Sequence, residues 1–329
     1  MKKMMLEVKN LVKHFPIRQS FFKTLLTGQK KFVHAVNNIS FNIEEGQTLG
    51  LVGESGSGKT TTGRLVLRLI EPTNGSIIYR GTDITALEKE PLRKLRKEIQ
   101  IIFQDPLAAL NPYMKIGDAI RHPLDIHGIG SREERHDMVL DMLSRVNLEP
   151  ASDFFKRYPR ELSGGQRQRV VIARALITRP KFIVADEAVA MLDVSVRSQL
   201  LDLMLKLKEE FDLTYLFITH DLATTKYICD RIAVMYLGTI VETGSFEEIY
   251  KNPSHPYTKA LISAVPEPDP ETKKEKMIPA GEVPNAVDLP SGCFFHPRCP
   301  YVMDKCKVEE PPEIKLSKTR MVKCHLFGR

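Results

Sequence analysis

The run Gly53-Glu-Ser-Gly-Ser-Gly58-Lys59-Thr60 constrains this chain more than any other feature of its sequence. It fits the pattern G-x-x-x-x-G-K-[ST] in full. It lies between a short apolar run, Thr48 to Val52, and a segment of helical spacing, Thr60 to Ile70, that stops before Pro72. Strand, glycine-rich turn and helix in that order make a phosphate-binding loop. The glycines let successive amide N–H groups face one anion, and the helix adds its positive end. Lys59 is expected to reach the β- and γ-phosphates of a nucleotide, and the Thr60 hydroxyl to coordinate Mg2+. A flexible Gly/Ser turn ahead of a lysine explains the composition but not the spacing and flanks together.

Such a loop belongs to an α/β sheet, and the remaining pattern predicts one. Ile99 to Phe103, Phe182 to Asp186 and Tyr215 to Thr219 read as strands. They alternate with the helices Gln166 to Ile177, Val196 to Phe211 and Leu222 to Ile228, which predicts a largely parallel sheet. Leu6 to Val8, Ala35 to Ile43 and the glycine-bounded Gly75 to Gly81 predict a separate antiparallel β part. Its extended hairpin carries a basic, Phe-containing insert, Arg18 to Lys31. Between Asp105 and Pro159 the strand signal vanishes. Asp118 to His127 and Arg132 to Val146 are spaced as helices, with Pro112, Pro123 and Pro150 as punctuation, so a helical insertion is expected over about 105–165. The expected division is an ATPase domain over 1–250 and a C-terminal extension over 251–329. Pro266-Glu-Pro-Asp-Pro270 would be the linker.

Hydrolysis needs a carboxylate site as well. Phe182-Ile-Val-Ala-Asp186-Glu187 is an apolar strand ending in two acids. Asp186 is expected to hold Mg2+, mainly through water, and Glu187 to polarise the attacking water as general base. Alone, the pair would read as a strand emerging into solvent.

Composition excludes a membrane span. The richest apolar stretch, Phe182 to Leu192, is broken by Asp186 and Glu187, and no run approaches the ~18 residues that a bilayer needs. Glu7, Lys9 and Lys13 interrupt any signal-peptide core, so a cytoplasmic protein is expected. The net charge of +7 fits nucleic acid, an anionic membrane surface, or a plain solvated surface, since Lys and Arg are scattered.

To this point the residues describe an ATPase or GTPase with a phosphate loop. Leu162-Ser163-Gly164-Gly165-Gln166, just ahead of a helix and about twenty residues before Asp186, resembles the signature of ATP-binding cassette (ABC) proteins. Gln104 resembles that family's Q-loop, Leu192-Asp193 its D-loop, and His220 in Ile218-Thr-His-Asp221 its switch histidine. The resemblance implies a RecA-like cassette with an antiparallel β subdomain, a helical insertion and a small cysteine-rich extension. It implies catalytic roles for Glu187, His220 and Gln104, and Mg2+ held by Thr60, Gln104 and Asp186. ATP would meet Gly53, Ser55, Gly56, Ser57, Gly58, Lys59, Thr60 and Thr61 on one chain, with Ser163, Gly164, Gly165, Gln166 and Asp193 contributed across a pair of cassettes. Phe15 is the best placed residue to stack on adenine, with Phe32 and Val36 as alternatives. Two departures stand out: Ala188 where the family usually has proline, and Met191 where it has a small residue. Together they imply a slow basal ATPase.

Four of the five cysteines, Cys293, Cys299, Cys306 and Cys324, cluster in the tail, a pattern that suits a metal centre, Zn2+ or iron–sulfur, or a disulfide pair. Gly292-Cys293-Phe-Phe-His-Pro-Arg-Cys299-Pro resembles the tail of peptide and nickel importer cassettes, which implies a [4Fe–4S] cluster, with Zn2+ or no metal as alternatives. Cys229 reads as a packing residue. Phe103-Gln-Asp-Pro-Leu107, Ala109-Leu-Asn-Pro112, Val194-Ser-Val-Arg197 and Asn252-Pro-Ser-His-Pro-Tyr-Thr258 also resemble oligopeptide and dipeptide importer subunits.

The implied function is ATP-driven import of di- and oligopeptides from the cytoplasmic face of the membrane. The implied partners are a second cassette, identical or different, two permease subunits and an extracytoplasmic peptide-binding protein. Nickel or other solutes are an alternative cargo. A soluble ABC ATPase on nucleic acid or ribosomes is an alternative class, although no nucleic-acid partner is expected. A redox sensor is a third reading, suggested by the tail alone. Phe21, Phe22, Leu25 and Leu26 of the insert would touch the permease or membrane, or lie on a solvated hairpin.

Overall fold

The computed structural model describes residues 3–17, 31–265, 277 and 281–328. Residues 18–30 of the basic insert and the Pro266 to Pro270 linker lie outside the described residues. The chain divides into two compact units, and each is built around its own apolar side chains.

The first unit comprises residues 3–5, 43–48 and 86–218. Its strands Ile99–Ile102, Phe182–Asp186 and Thr214–Thr219 run parallel with the middle strand paired on both sides, Phe182 opposite both Ile99 and Thr214. All five residues of Phe182–Asp186 are buried, as a strand covered on both faces requires. Four longer helices accompany these strands: Ile116–His127, Arg132–Arg145, Gly164–Leu176 and Val194–Phe211. Ile116, Ile120 and Leu124 repeat at i, i+4, i+8 and are fully buried, each burial stabilising by about 1.5–3 kcal/mol. Pro123 punctuates nothing; it sits inside the first of these helices, which ends instead at left-handed Gly128. Ser131 starts the next one with a reciprocal capping box to Glu134.

The second unit comprises residues 6–17, 31–42, 49–85, 219–265, 277 and 281–328. The strand Met4–Pro16 lies between Phe32–Glu44 and Asn74–Tyr79 and pairs antiparallel with the latter, Leu6 opposite Tyr79 and Val8 opposite Ile77. A second set begins with Thr48–Val52, entirely buried, parallel to Arg231–Tyr236. Arg231–Tyr236 turns back through Leu237 and Gly238, both at positive φ, into Thr239–Ser245. The tail adds the last two strands: Met321–Lys323 pairs with Thr239–Ser245, and Glu313–Lys315 pairs with Met321–Lys323. Tyr236, Tyr257 and Phe295 fill the space under this sheet with ring centroids 4.7 to 5.5 Å apart. The helix after the phosphate loop is shorter than its sequence suggests, Lys59–Val66, because Arg68 turns to φ 48. Among the described residues no helix is long and apolar enough to cross a membrane.

Candidate functional site

The phosphate loop is wedged by backbone on two sides within the second unit. A Cβ on Gly53 would stand 2.1 Å from the Met235 carbonyl oxygen, and one on Gly58 2.2 Å from that of Ala35. No side chain fits at either point. Gly58, at φ 101, is also the left-handed residue from which the helix Lys59–Val66 starts. The Ser57 carbonyl accepts from Gly238 N–H at 2.9 Å, and Ser57 N–H donates to the Glu54 carbonyl at 3.3 Å. Lys59 is buried, its ammonium donating to the Gly53 and Glu54 carbonyls at 2.8 Å each and to Ser57 Oγ at 3.4 Å. Ser55 and Gly56 are exposed at the mouth of the loop, while Thr60 and Thr61 are half-buried on the first helical turn.

Two further expected residues lie in this unit. Phe15 is 37% exposed, with the Lys13 ammonium 4.9 Å from its ring centroid, whereas Val36 is fully buried and belongs to the core. His220 is exposed between Thr219 and Asp221; Asp221 N–H donates to Thr219 Oγ1, and the Asp221 carboxylate caps the helix Leu222–Ile228.

The first unit holds the acids and the signature. Asp186 ends its strand almost fully buried. Glu187 follows at φ 47, in the left-handed region that a side chain adopts only under constraint. Its N–H donates to the Ile218 carbonyl at 2.9 Å, and its carboxylate accepts from Gln104 Nε2 at 2.7 Å. The sequence placed Gln104 and Glu187 in separate motifs, and the structure joins them. Gln104 thereby turns its amide oxygen away from Glu187.

Ser163 caps the helix Gly164–Leu176: its Oγ accepts from Gln166 N–H at 3.3 Å, and Gln166 Oε1 accepts from Ser163 N–H at 3.0 Å. A Cβ on Gly165 would lie 2.7 Å from Val196 Cγ1, so packing within the chain demands glycine there. On Gly164 it would meet only Leu192 Cδ2 at 3.7 Å. Among the described residues nothing requires glycine at 164. Asp193 is exposed, Ala188 is buried, and Met191 and Val194 are 64% and 76% exposed.

Residues more than 200 positions away support the phosphate loop from behind. Glu54 N–H donates to Tyr257 Oη at 2.8 Å, and the Glu54 carboxylate takes both guanidinium nitrogens of Arg298, at 2.9 and 3.3 Å. His255 is buried and caps the helix Pro256–Ser263, its Nδ1 accepting from Tyr257 N–H at 3.0 Å. Burial lowers its pKa to about 3, so it is neutral.

Of the tail cysteines, Cys306 and Cys324 are buried and Cys293 and Cys299 half-buried. Cys293 N–H donates to the Cys306 carbonyl at 2.8 Å, which brings the two segments together. Burial pushes the Cys293 thiol up to about 11 and raises Cys299 and Cys324, and neighbouring tail thiols add to each of these shifts. Among the described residues no group of three or more His, Cys, Asp or Glu is placed to hold a metal ion. No disulfide joins any of the five cysteines.

The oxygen donors of Thr60, Gln104 and Asp186 are of the hard type that Mg2+ takes, and the cradle at Gly53 and Gly58 is of the kind that receives phosphate. Comparison with known proteins agrees with that chemistry. Residues 36–190 match the family described as ABC transporter, and residues 241–306 match the oligopeptide/dipeptide transporter C-terminal region. A probable peptide ABC transporter ATP-binding protein, y4tS, of Sinorhizobium fredii is 46% identical over 98% of this chain and 90% of its own length. The oligopeptide transport ATP-binding protein AppF of Bacillus subtilis is 46% identical over 98% and 97%. Among solved structures, the ABC cassette MJ0796, a dimer in a post-hydrolysis state with ADP and Pi, superposes with a TM-score of 0.64 at 30% identity, covering 74% of this chain and 99% of that one.

Proposed function

Because the chain belongs to the ATP-binding proteins of ABC peptide transporters, we propose that it hydrolyses ATP to power import of di- and oligopeptides. The observation that carries this reading is the wedged phosphate loop, in a chain whose residues 241–306 match the peptide-transporter region.

Each residue has a part in the chemistry. Lys59 and the loop amides hold the phosphates, Thr60, Asp186 and Gln104 supply oxygens to Mg2+, and Phe15 stacks on the base. Glu187 takes the proton of the attacking water, and His220 holds that water against the γ-phosphate. The Gln104 bond to Glu187 orients the base. Bound Mg2+ neutralises charge developing on the phosphate oxygens. Ser163, Gly164, Gly165, Gln166 and Asp193 act on the nucleotide of a second cassette, identical or different. What supports this is that no close contact among the described residues requires glycine at 164, and that Met191 and Val194 are exposed.

Two permease subunits and an extracytoplasmic peptide-binding protein complete the machine, with this chain peripheral at the cytoplasmic face. The four tail cysteines as a [4Fe–4S] ligand set remain a proposal that rests on donor chemistry alone. Iron and acid-labile sulfide in anaerobically purified protein would support it, and their absence would overturn it. The import reading predicts co-purification with membrane subunits in detergent and ATP turnover that rises when peptide-loaded binding protein is added. Salt-sensitive association with RNA or DNA alone would contradict it.

A further inference from the structure

The phosphate loop carries an acid at its second position, Glu54, in a place built to receive a highly charged anion. An uncompensated carboxylate there would repel the nucleotide. Its compensation comes from 244 residues away. Arg298 has a side chain only 9% exposed and grips both oxygens of Glu54 in a two-pronged pair. The guanidinium carbon lies 5.9 Å from the ring centroids of both Tyr236 and Phe295. It is carried on the one-turn 3-10 helix His296–Arg298, directly before Cys299. Tyr257 holds the backbone of the same residue, so Glu54 is fixed at its amide and at its carboxylate by C-terminal elements.

We infer that Arg298 is a positioning residue of the nucleotide site: it neutralises Glu54 and locks the first half of the phosphate loop, so that tight ATP binding depends on the tail. The inference rests on the proposed ATPase reading. Arg298 and Tyr257 act on the nucleotide site through Glu54.

The test is a double-mutant cycle on the full chain, with MgATP affinity measured by calorimetry at low and high salt. Arg298→Met, which keeps the bulk of the stem, is expected to weaken MgATP binding by about tenfold at low salt and by less at high salt, because the exposed charge is then screened. In a Glu54→Gln background the same substitution is expected to cost under about twofold, since no carboxylate is left to neutralise. A loss of equal size in both backgrounds, or no loss in either, would overturn the inference. A purely structural arginine would give the first of those results. If Arg298→Met does not yield folded protein, Arg298→Lys is taken through the same cycle with an expected loss of about threefold and the same rule for rejection. Failure of the unsubstituted chain to bind MgATP would instead remove the ATPase reading itself.

Discussion

The phosphate loop and the signature segment are both glycine-rich helix starts, yet the structure holds them in opposite ways. In the loop, Gly53 and Gly58 have carbonyl oxygens of Met235 and Ala35 where a Cβ would go, and Lys59, Ser57 and Glu54 are all bonded to nearby groups of the same unit. In the signature, the partners of Ser163 among the described residues are in its own helix, a Cβ on Gly164 would make no more than an ordinary contact with Leu192, and Met191 and Val194 near the start of the next helix are exposed. On the proposed reading, the first anion site is completed within the chain and the second only across a paired cassette.

Substitutions separate the two, beginning with the largest effect. Glu187→Gln removes the base but leaves the loop intact. Turnover is expected to fall by about 10² to 10⁴ with MgATP binding retained, and near-normal turnover would refute the assignment. Gly53→Ala strikes the over-determined side. With the Met235 carbonyl 2.1 Å from the new methyl, the loop must shift, and a loss of about 1–3 kcal/mol in urea unfolding should accompany lost ATP binding.

Acid should loosen the same side. The pKa of His255 is depressed to about 3 in the folded chain against 6.5 unfolded, so its neutral form stabilises fully above 6.5. Below that pH the unfolded state gains the proton first, and stability falls by about 1.4 kcal/mol per pH unit until the pH approaches 3. His255→Asn keeps a helix cap and should flatten that slope between pH 7 and 5, whereas an unchanged slope would place the acid sensitivity elsewhere. The smallest effect is expected at the exposed edge. Ala188→Pro with Met191→Ala should raise basal ATPase severalfold, and an unchanged rate would show that these departures do not slow the enzyme.

What was legible in the sequence follows range. The phosphate loop, the acidic strand end and the helix cap Ser163 with Gln166 are set by residues within a few positions of each other, and each stands where its spacing put it. The hairpin Arg231–Tyr236 to Thr239–Ser245 went unread, although the Leu237-Gly238 turn between two apolar runs was a usable signal. His255 and Pro256 likewise announced the helix Pro256–Ser263 as cap and first residue. Nothing local could disclose that Met321–Lys323 adds a strand beside Thr239–Ser245, or that Arg298 meets Glu54. Those depend on pairings made only when distant segments fold together.

The proposed contrast between a site completed within the chain and one completed across a paired cassette is tested most directly by Ser163→Arg, with MgATP affinity and turnover measured on the same preparation. A bulky cation on the exposed signature should leave affinity within about twofold and lower turnover by about 10² or more, because the loop binds alone and hydrolysis needs the partner's signature. Affinity and turnover falling together, or turnover left intact, would contradict it.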